Sequence, residues 1–358
     1  MKKRIRLGLL RALKAAGLFD RVREGKWRRS RLLILCYHGV AIDQENQWRP
    51  ALFTTASRLR ERFEMLKQGG YNVLSLNEGL ERLQKRDLPA RSVVLTFDDG
   101  TVDFYTLAYP LLREFKFPAT VYQTTYYCSR PVPVFPLICS YLLWKARESR
   151  LGAAPSIGVP NETALHSLDV REAVVRRIAA FTEQQNFSTE QKSELAAELA
   201  ERLGLKYQEI LRKRVLQLMN PAEIAEAAAG GVAVELHTHR HRTPHDRVLF
   251  EKEIRDNRNE IEAITKTRPR HFCYPSGDYE QVFLPWLAEL GVESATTCDP
   301  GITTVNSPPL ILPRFVDTTG QTALEFEAWL TGVGALLQGG RVKPKRQPRQ
   351  APDPHLVS

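Results

Sequence analysis

No two of the five cysteines (Cys36, Cys128, Cys139, Cys273 and Cys298) form a Cys-x-x-Cys pair, and their number is odd. That pattern excludes a disulfide framework and a zinc knuckle, and it is compatible with a reducing compartment. No apolar run approaches the ~18 residues needed to cross a bilayer. The start, Met1-Lys2-Lys3-Arg4-Ile5-Arg6, leads into Leu7-Gly8-Leu9-Leu10, but Arg11 and Lys14 interrupt that stretch. Neither a secretory apolar region of useful length nor a cleavage site is read there, so a cytoplasmic location is expected. Internal repeats are also lacking, as is any aromatic-plus-basic motif of the kind that binds nucleic acid.

The chain does have enough apolar content for a large core, 43% of 358 residues, and a formal net charge of +10. The excess sits at the two ends: Lys2, Lys3, Arg4, Arg6, Arg11, Lys14 and the segment 21–31 in front, and the segment 341–349 behind. No nucleic-acid partner is expected, whereas peripheral contact of the basic end with anionic lipid at the inner membrane fits better. Residues 1–30 read as a basic amphipathic helix, and residues 339–358, rich in Lys, Arg, Pro and Gln, as a disordered tail.

Between the ends, in residues 31–338, short apolar runs alternate with helical periods, the pattern of a parallel sheet or barrel with helices outside. Strands are expected at 31–36, 71–74, on the apolar run 92–95 that leads to Asp98 and Asp99, at 119–122, on the apolar run 231–234 before His237, and at 271–274, 293–297 and 310–315. Helices are expected at 57–67 with Thr54 or Thr55 near the N-cap, 76–83 capped by Ser75, 103–115, 221–229 after Asn220, 247–264, 283–290 and 323–337. Residues 128–220 break the rhythm with two long amphipathic segments, about 170–182 and 188–203, and no strand between them. They read as a helical insertion.

Two carboxylates, Asp98 and Asp99, stand together where the apolar run Ser92-Val93-Val94-Leu95 ends in Thr96-Phe97-Asp98-Asp99-Gly100. Adjacent buried carboxylates are costly without a cation, and ligands in α/β folds bind beyond the carboxyl ends of strands. Leu236-His237-Thr238-His239-Arg240-His241 follows a second such run. A divalent metal of borderline hardness takes imidazole and carboxylate and keeps a position open for water. Asp99, His237 and His241 would supply three ligands if a loop turns both histidines inward, whereas His237 and His239 would pair if the strand continued. Asp98, on the opposite face of an extended backbone from Asp99, escapes coordination and is free to take a proton from water.

These residues resemble the polysaccharide deacetylase, or NodB-homology, family (carbohydrate esterase family 4). Its first motif stands intact at residues 96–100, its second as His237-Thr238-His239-Arg240-His241, and the core of its third, Phe-x-Tyr-Pro-x-Gly, within Arg270-His271-Phe272-Cys273-Tyr274-Pro275-Ser276-Gly277. The resemblance covers residues 31–320 and implies an irregular (β/α) barrel of about seven strands, interrupted by the helical insertion. It implies Asp98 as general base, a divalent metal, expected to be zinc, on Asp99, His237 and His241, and an oxyanion site at the backbone N–H of Ser276.

Two departures stand out. Cys273 occupies the place of an arginine that orients the base, and Arg314, in Leu312-Pro313-Arg314-Phe315, is the candidate to replace it from another strand. No histidine after His271 precedes His355 in the tail, so the family's late general acid is missing. His38, in Tyr37-His38-Gly39-Val40, resembles the Tyr-His motif of the family branch that includes poly-N-acetylglucosamine deacetylases, which implies His38 as the acid. Cys36 and Cys298 read as core residues. The resemblance implies a metal-dependent hydrolase that removes N-acyl groups, acetyl above all, from an amino sugar in a glycan. The basic ends favour a second version, a deformylase or deacetylase of a lipid-linked sugar at the cytoplasmic membrane face. The departures motivate a third reading, a non-catalytic barrel that binds glycan.

Overall fold

The computed structural model describes residues 3–338. Eight strands make the main sheet: β1 (Leu33–Tyr37), β2 (Asn72–Leu74), β3 (Ser92–Phe97), β4 (Thr120–Gln123), β5 (Ala233–Leu236), β6 (His271–Cys273), β7 (Ser294–Thr296) and β8 (Phe315–Val316). All pair in parallel in the order β7-β6-β5-β4-β3-β1-β8, and β2 lies against the first half of β3. β1 and β3 are buried along their whole length, as strands covered on both faces must be. The two edges meet through the last segment. Leu312 N–H donates to Ala295 O (2.8 Å) and Leu312 O accepts from Thr297 N–H (3.0 Å), while Phe315 and Val316 pair with Leu35 and Cys36 of β1. The sheet thereby curls into the expected irregular (β/α) barrel, with the carboxyl ends of its strands around one mouth.

Local capping explains why the helices begin where the sequence signals them. Thr55 Oγ1 accepts from Arg58 N–H, Ser75 Oγ accepts from Glu78 N–H, and Asn220 with Glu223 makes a reciprocal capping box. Two expected elements near the end of the chain are corrected. The strand expected at 310–315 is a single tight turn, Pro309–Ile311, and regular pairing begins only at Phe315. The helix expected at 323–337 breaks into Ala323–Thr331 and Val333–Leu337. Gly332 causes this break: its φ is 97°, and a Cβ there would lie 2.6 Å from the Trp27 ring.

The segment expected as a helical insertion also holds more than two helices. Phe135–Lys145 and Tyr207–Arg212 join Leu168–Gln184 and Thr189–Arg202, which follow one another without a strand as expected, and a short antiparallel pair, Arg150–Leu151 with Thr163–Ala164, precedes them. Phe135–Lys145 is buried on nearly every side, so it carries no amphipathic period to read. These elements bury their own cluster, which includes Ile138, Leu142, Ile178 and Leu199, and Phe53, from a two-residue strand that pairs with Gly39–Val40 after β1, inserts into it.

Residues 3–30 are not one helix but three, Lys3–Ala15, Leu18–Glu24 and Lys26–Arg29. They dock on the last helices: Leu10 and Phe19 pack with Ala328 and Val333, and Lys14 pairs with Glu327 at 2.6 Å. The apolar stripe expected to meet lipid is thus largely spent inside the protein, although Ile5 and Leu9 stay exposed. Among the described residues no helix is long and apolar enough to cross a membrane. The tail expected to be disordered lies outside the described residues.

Arg28 fastens this segment. It is fully buried, and its guanidinium donates to the carbonyls of Leu330 (3.0 Å), Arg31 (2.8 Å) and Ser92 (3.0 Å). Burial pushes its pKa down to about 10, which leaves it charged at neutral pH. Arg28→Ala would strand three buried carbonyls and is expected to cost about 3 kcal/mol. The check is a lower urea midpoint with an unchanged slope, and an unmoved midpoint would contradict the docking.

Candidate active site

β3 delivers the paired carboxylates to the mouth, and a reversal of the chain then separates them. Asp99 (φ 72°) and Gly100 (φ 73°) are both left-handed. A Cβ at Gly100 would lie 2.1 Å from Gln123 Oε1, so only glycine fits there. The reversal sends Asp98 to one set of partners and Asp99 to another.

Asp98 is 3% exposed and meets Arg314, which is 0% exposed, in a two-pronged pair. Arg314 Nη1 donates to Oδ1 at 2.7 Å and Nη2 to Oδ2 at 2.6 Å. The other donors of Arg314 reach Thr297 O (2.9 Å) and Thr96 Oγ1 (3.0 Å), and Thr96 in turn donates to Leu35 O. Such a planar fork fixes the carboxylate in orientation as well as charge. Burial opposes the charge of Asp98, but the guanidinium outweighs it and holds the carboxyl well below its usual range. Arg314 therefore touches the base candidate from the segment that closes the barrel, while Cys273 stands beside them with its Sγ 3.4 Å from Asp98 Oδ2.

Asp99 faces the histidines. Its Oδ1 is 3.1 Å from both His237 Nε2 and His241 Nε2, and its side chain is 30% exposed at the mouth. His237 Nδ1 lies 2.8 Å from Cys273 O, which can only accept, so Nδ1 carries a proton and Nε2 is the nitrogen turned to Asp99. Burial holds His241 below its ordinary pKa, and its buried Nδ1 has no partner among the described residues. Asp99 stays ionised: burial opposes its charge, but the two imidazoles hold it well below the carboxylate range. Two imidazole nitrogens and a carboxylate thus converge, with ligand atoms within 4.8 Å of one another, and would serve as ligands once a cation takes the place of the protons between them. This donor set fits a divalent cation.

The structure also separates the two histidine alternatives. His241 turns inward through left-handed turns at Thr238 and His241, while His239 turns away, its Nδ1 2.9 Å from Thr125 Oγ1. His38 follows β1, and its Nε2 is 3.6 Å from Asp98 Oδ2. Burial opposes its charge, but a hydrogen bond with Cys298 and the carboxylates of Asp98 and Asp99 push its pKa up to about 9. Ser276 sits exposed at φ 58° in the tight turn Pro275–Gly277, three residues after Cys273.

The reading of Cys36 as a core residue holds, since it is fully buried, but that of Cys298 needs correction. Cys36 is buried but donates toward Asp98 Oδ2 at 3.5 Å, and half-buried Cys298 lies 3.8 Å from Arg314 Nη2. Sequence reasoning also missed two side chains on the helix Arg247–Thr265. Glu253 accepts from the Arg240 N–H (2.7 Å) and Arg242 Nε (2.8 Å), pinning the histidine loop. Asn257 Oδ1 accepts from His237 N–H (2.9 Å), and its amide donates to Gln123 O (2.9 Å). The available signal was positional: Asn257 shares the helix face of Phe250, Ile254 and Ile261, where a polar residue has to be explained.

Comparison with known proteins follows the same lines. The polysaccharide deacetylase family matches residues 85–295, a span that includes Asp98, Asp99, His237 and His241 but neither His38 nor Arg314. A poly-beta-1,6-N-acetyl-D-glucosamine N-deacetylase of Escherichia coli (strain K12) is 35% identical over 97 residues, 27% of this chain and 14% of that protein. Its namesake in Staphylococcus aureus (strain N315) is 36% identical over 69 residues, 19% of this chain and 24% of that protein. The chain thus matches less than a quarter of the length of either relative. Among solved structures, the Streptococcus pyogenes deacetylase PplD in complex with acetate aligns with TM-score 0.55 and 19% identity, covering 84% of this chain and 98% of that one. IcaB from Ammonifex degensii aligns with TM-score 0.50 and 18% identity, over 84% of this chain and 97% of that one. At those identities the likeness is one of fold.

Asn257→Ala frees the backbone that aims His237. The expected outcome is a roughly 10-fold weaker affinity for Zn2+, the size typical of losing an outer hydrogen-bond partner, read by titration of the metal-free protein against a chromophoric chelator. Unchanged affinity would remove Asn257 from the site.

Proposed function

The chain belongs to the polysaccharide deacetylase family, and from that premise we propose that it is a metal-dependent hydrolase that removes acetyl groups from the amino sugars of a poly-N-acetylglucosamine glycan. The observation that carries the reading is the division of two neighbouring carboxylates, Asp99 toward two imidazoles and Asp98 toward a guanidinium and His38. A binding module has no use for an ionised, oriented base beside a ligand set. The relatives that share the matched segments are poly-beta-1,6-N-acetyl-D-glucosamine N-deacetylases by name, which supports that glycan as the substrate.

Asp99, His237 and His241 would hold the ion, zinc by its affinity for imidazole and carboxylate. When bound, such an ion polarises an acyl oxygen and lowers the pKa of water from 15.7 to about 7. Asp98 takes the proton that water loses as its oxygen adds to the acyl carbon. A carboxylate with so depressed a pKa is a weak base, so its part is to receive that proton from acidified water and pass it on. His38, protonated at neutral pH, donates to the departing nitrogen, which makes an amine of an otherwise poor leaving group; the C–N bond breaks, and acetate and the free amino sugar result. The 3.6 Å gap between Asp98 and His38 is short enough for the proton gained by one to restore the other. The Ser276 N–H, in its tight turn, is the candidate donor to the oxyanion. Arg314 acts through Asp98, holding both oxygens so that their remaining lone pairs face the mouth.

Acetate release from N-acetylglucosamine oligomers tests the reading directly. Asp98→Asn keeps shape and is expected to lower kcat by about 10²–10⁴-fold with the metal still bound. Absence of acetate from any such oligomer with zinc supplied would defeat the proposal. The pH profile isolates His38. Because the acid must carry its proton, kcat should fall as pH rises through the His38 pKa, at or below about 9, since a cation on Asp99 can only lower that value. His38→Gln should abolish this alkaline limb, and a limb that survives the substitution would assign the acid elsewhere.

A further inference from the structure

Three thiols surround the Asp98–Arg314 pair, and the proposed reaction uses none of them. We infer that Cys36, His38, Asp98 and Cys298 form a second cation site, selective for a thiophilic divalent ion such as Zn2+ or Cd2+, whose occupation turns the reaction off. The binding stands on geometry alone; its effect on the reaction rests on the reading of His38 as proton donor.

Cys36 Sγ is 3.5 Å from Asp98 Oδ2 and 4.0 Å from His38 Nδ1, and His38 Nε2 is 3.6 Å from Asp98 Oδ2. In a tetrahedral zinc site with bonds of 2.0–2.3 Å, neighbouring ligand atoms stand about 3.5 Å apart. One ligand atom each from Cys36, His38 and Asp98 lies within 4.8 Å of the others, so a turn of the His38 ring that presents one nitrogen to both partners, with an inward shift of the thiol, closes the set. Cys298 is the candidate for the fourth corner: its sulfur neighbours Cys36 and His38 and lies 3.8 Å from Arg314 Nη2. Access exists as well: Cys298 is half-buried and the His38 side chain is 12% exposed, on the same mouth as Asp99. Cys273 is set differently, its sulfur 3.1 Å from Arg314 Nη2, so the guanidinium blocks it as a ligand.

Charge and softness also agree. When both thiols give up their protons to solvent, two thiolates and the Asp98 carboxylate offset the divalent ion and Arg314 together. A set of two sulfurs and one imidazole selects zinc or cadmium over magnesium or calcium, which prefer oxygen. The Asp99 site, with no sulfur, takes zinc through its imidazoles without the added preference for cadmium. An ion on the His38 ring occupies the nitrogen that must carry the proton, so filling this site leaves the base intact and removes the acid.

The test uses the full chain with a phosphine reductant and three proteins: wild type, Cys36→Ser and Cys298→Ser. Bound zinc per chain is counted by elemental analysis, and Co2+ serves as the optical probe, since a thiolate ligand gives an intense charge-transfer band that nitrogen and oxygen ligands do not. Wild type should hold two equivalents and show the band. Each variant should hold one equivalent, lack the band, and melt as a folded protein. Acetate release by wild type should fall at least 10-fold as the second equivalent fills, and both variants should stay active in the same excess of zinc. A single equivalent in wild type without the band overturns the inference, as does a band that persists in both variants. If no form releases acetate, the count and the band still decide the site, and the deacetylase reading alone fails.

Discussion

The buried pair between Asp98 and Arg314 is the interaction on which the rest of the mouth depends. Sealing a carboxylate under β3 is tolerable only because a guanidinium, itself without solvent, meets both its oxygens, and the removal of either partner strands a charge at a cost of about 3–5 kcal/mol. That pair fixes where the second edge of the sheet must lie, since Arg314 sits two residues beyond Leu312 and one before the pairing of Phe315 with Leu35. It also frees Asp99. With one carboxylate fully matched by a cation of the protein, its neighbour can be left facing two imidazoles and the opening.

Much of this was legible in the residues. Thr96-Phe97-Asp98-Asp99-Gly100 announces a strand ending in two acids, and the Gly100 contact with Gln123 shows why the last letter is fixed. The alternation of histidines limited the ligand choice to two arrangements, and only the left-handed turns at Thr238 and His241 separate them, which depend on Glu253 and Asn257 far along the chain. Arg314 was readable as a candidate because a matching position held Cys273, yet the 216-residue separation from Asp98 gives no local sign of contact. The thiols were the opposite case. Cys36 lies in an apolar strand and looks like core, and nothing short of the folded mouth shows Cys298 beside it.

The elements that misled are those whose signal is set by neighbours. The helix Phe135–Lys145 has no polar face because the insertion and the loop after β1 enclose it. The helix over 323–337 was broken by a glycine that admits Trp27, a partner about 300 residues away in sequence. The basic front end looked like a surface helix and is instead partly consumed as packing, with Arg28 bonded to backbone carbonyls rather than offered to an anionic partner.

The closing segment of the barrel carries a consequence for how the chain acquires its chemistry. A ribosome delivers β3 and its two acids some two hundred residues before it delivers Arg314, so for most of synthesis Asp98 has no counter-charge and no reason to be sealed. The mouth can take its final form only when the last strand swings in beside β1, a contact of long loop-closure entropy that tends to come late in folding. Barrel closure and arming of the base are therefore a single event, and a nascent or partly opened chain stays inert for want of the salt bridge it has yet to make.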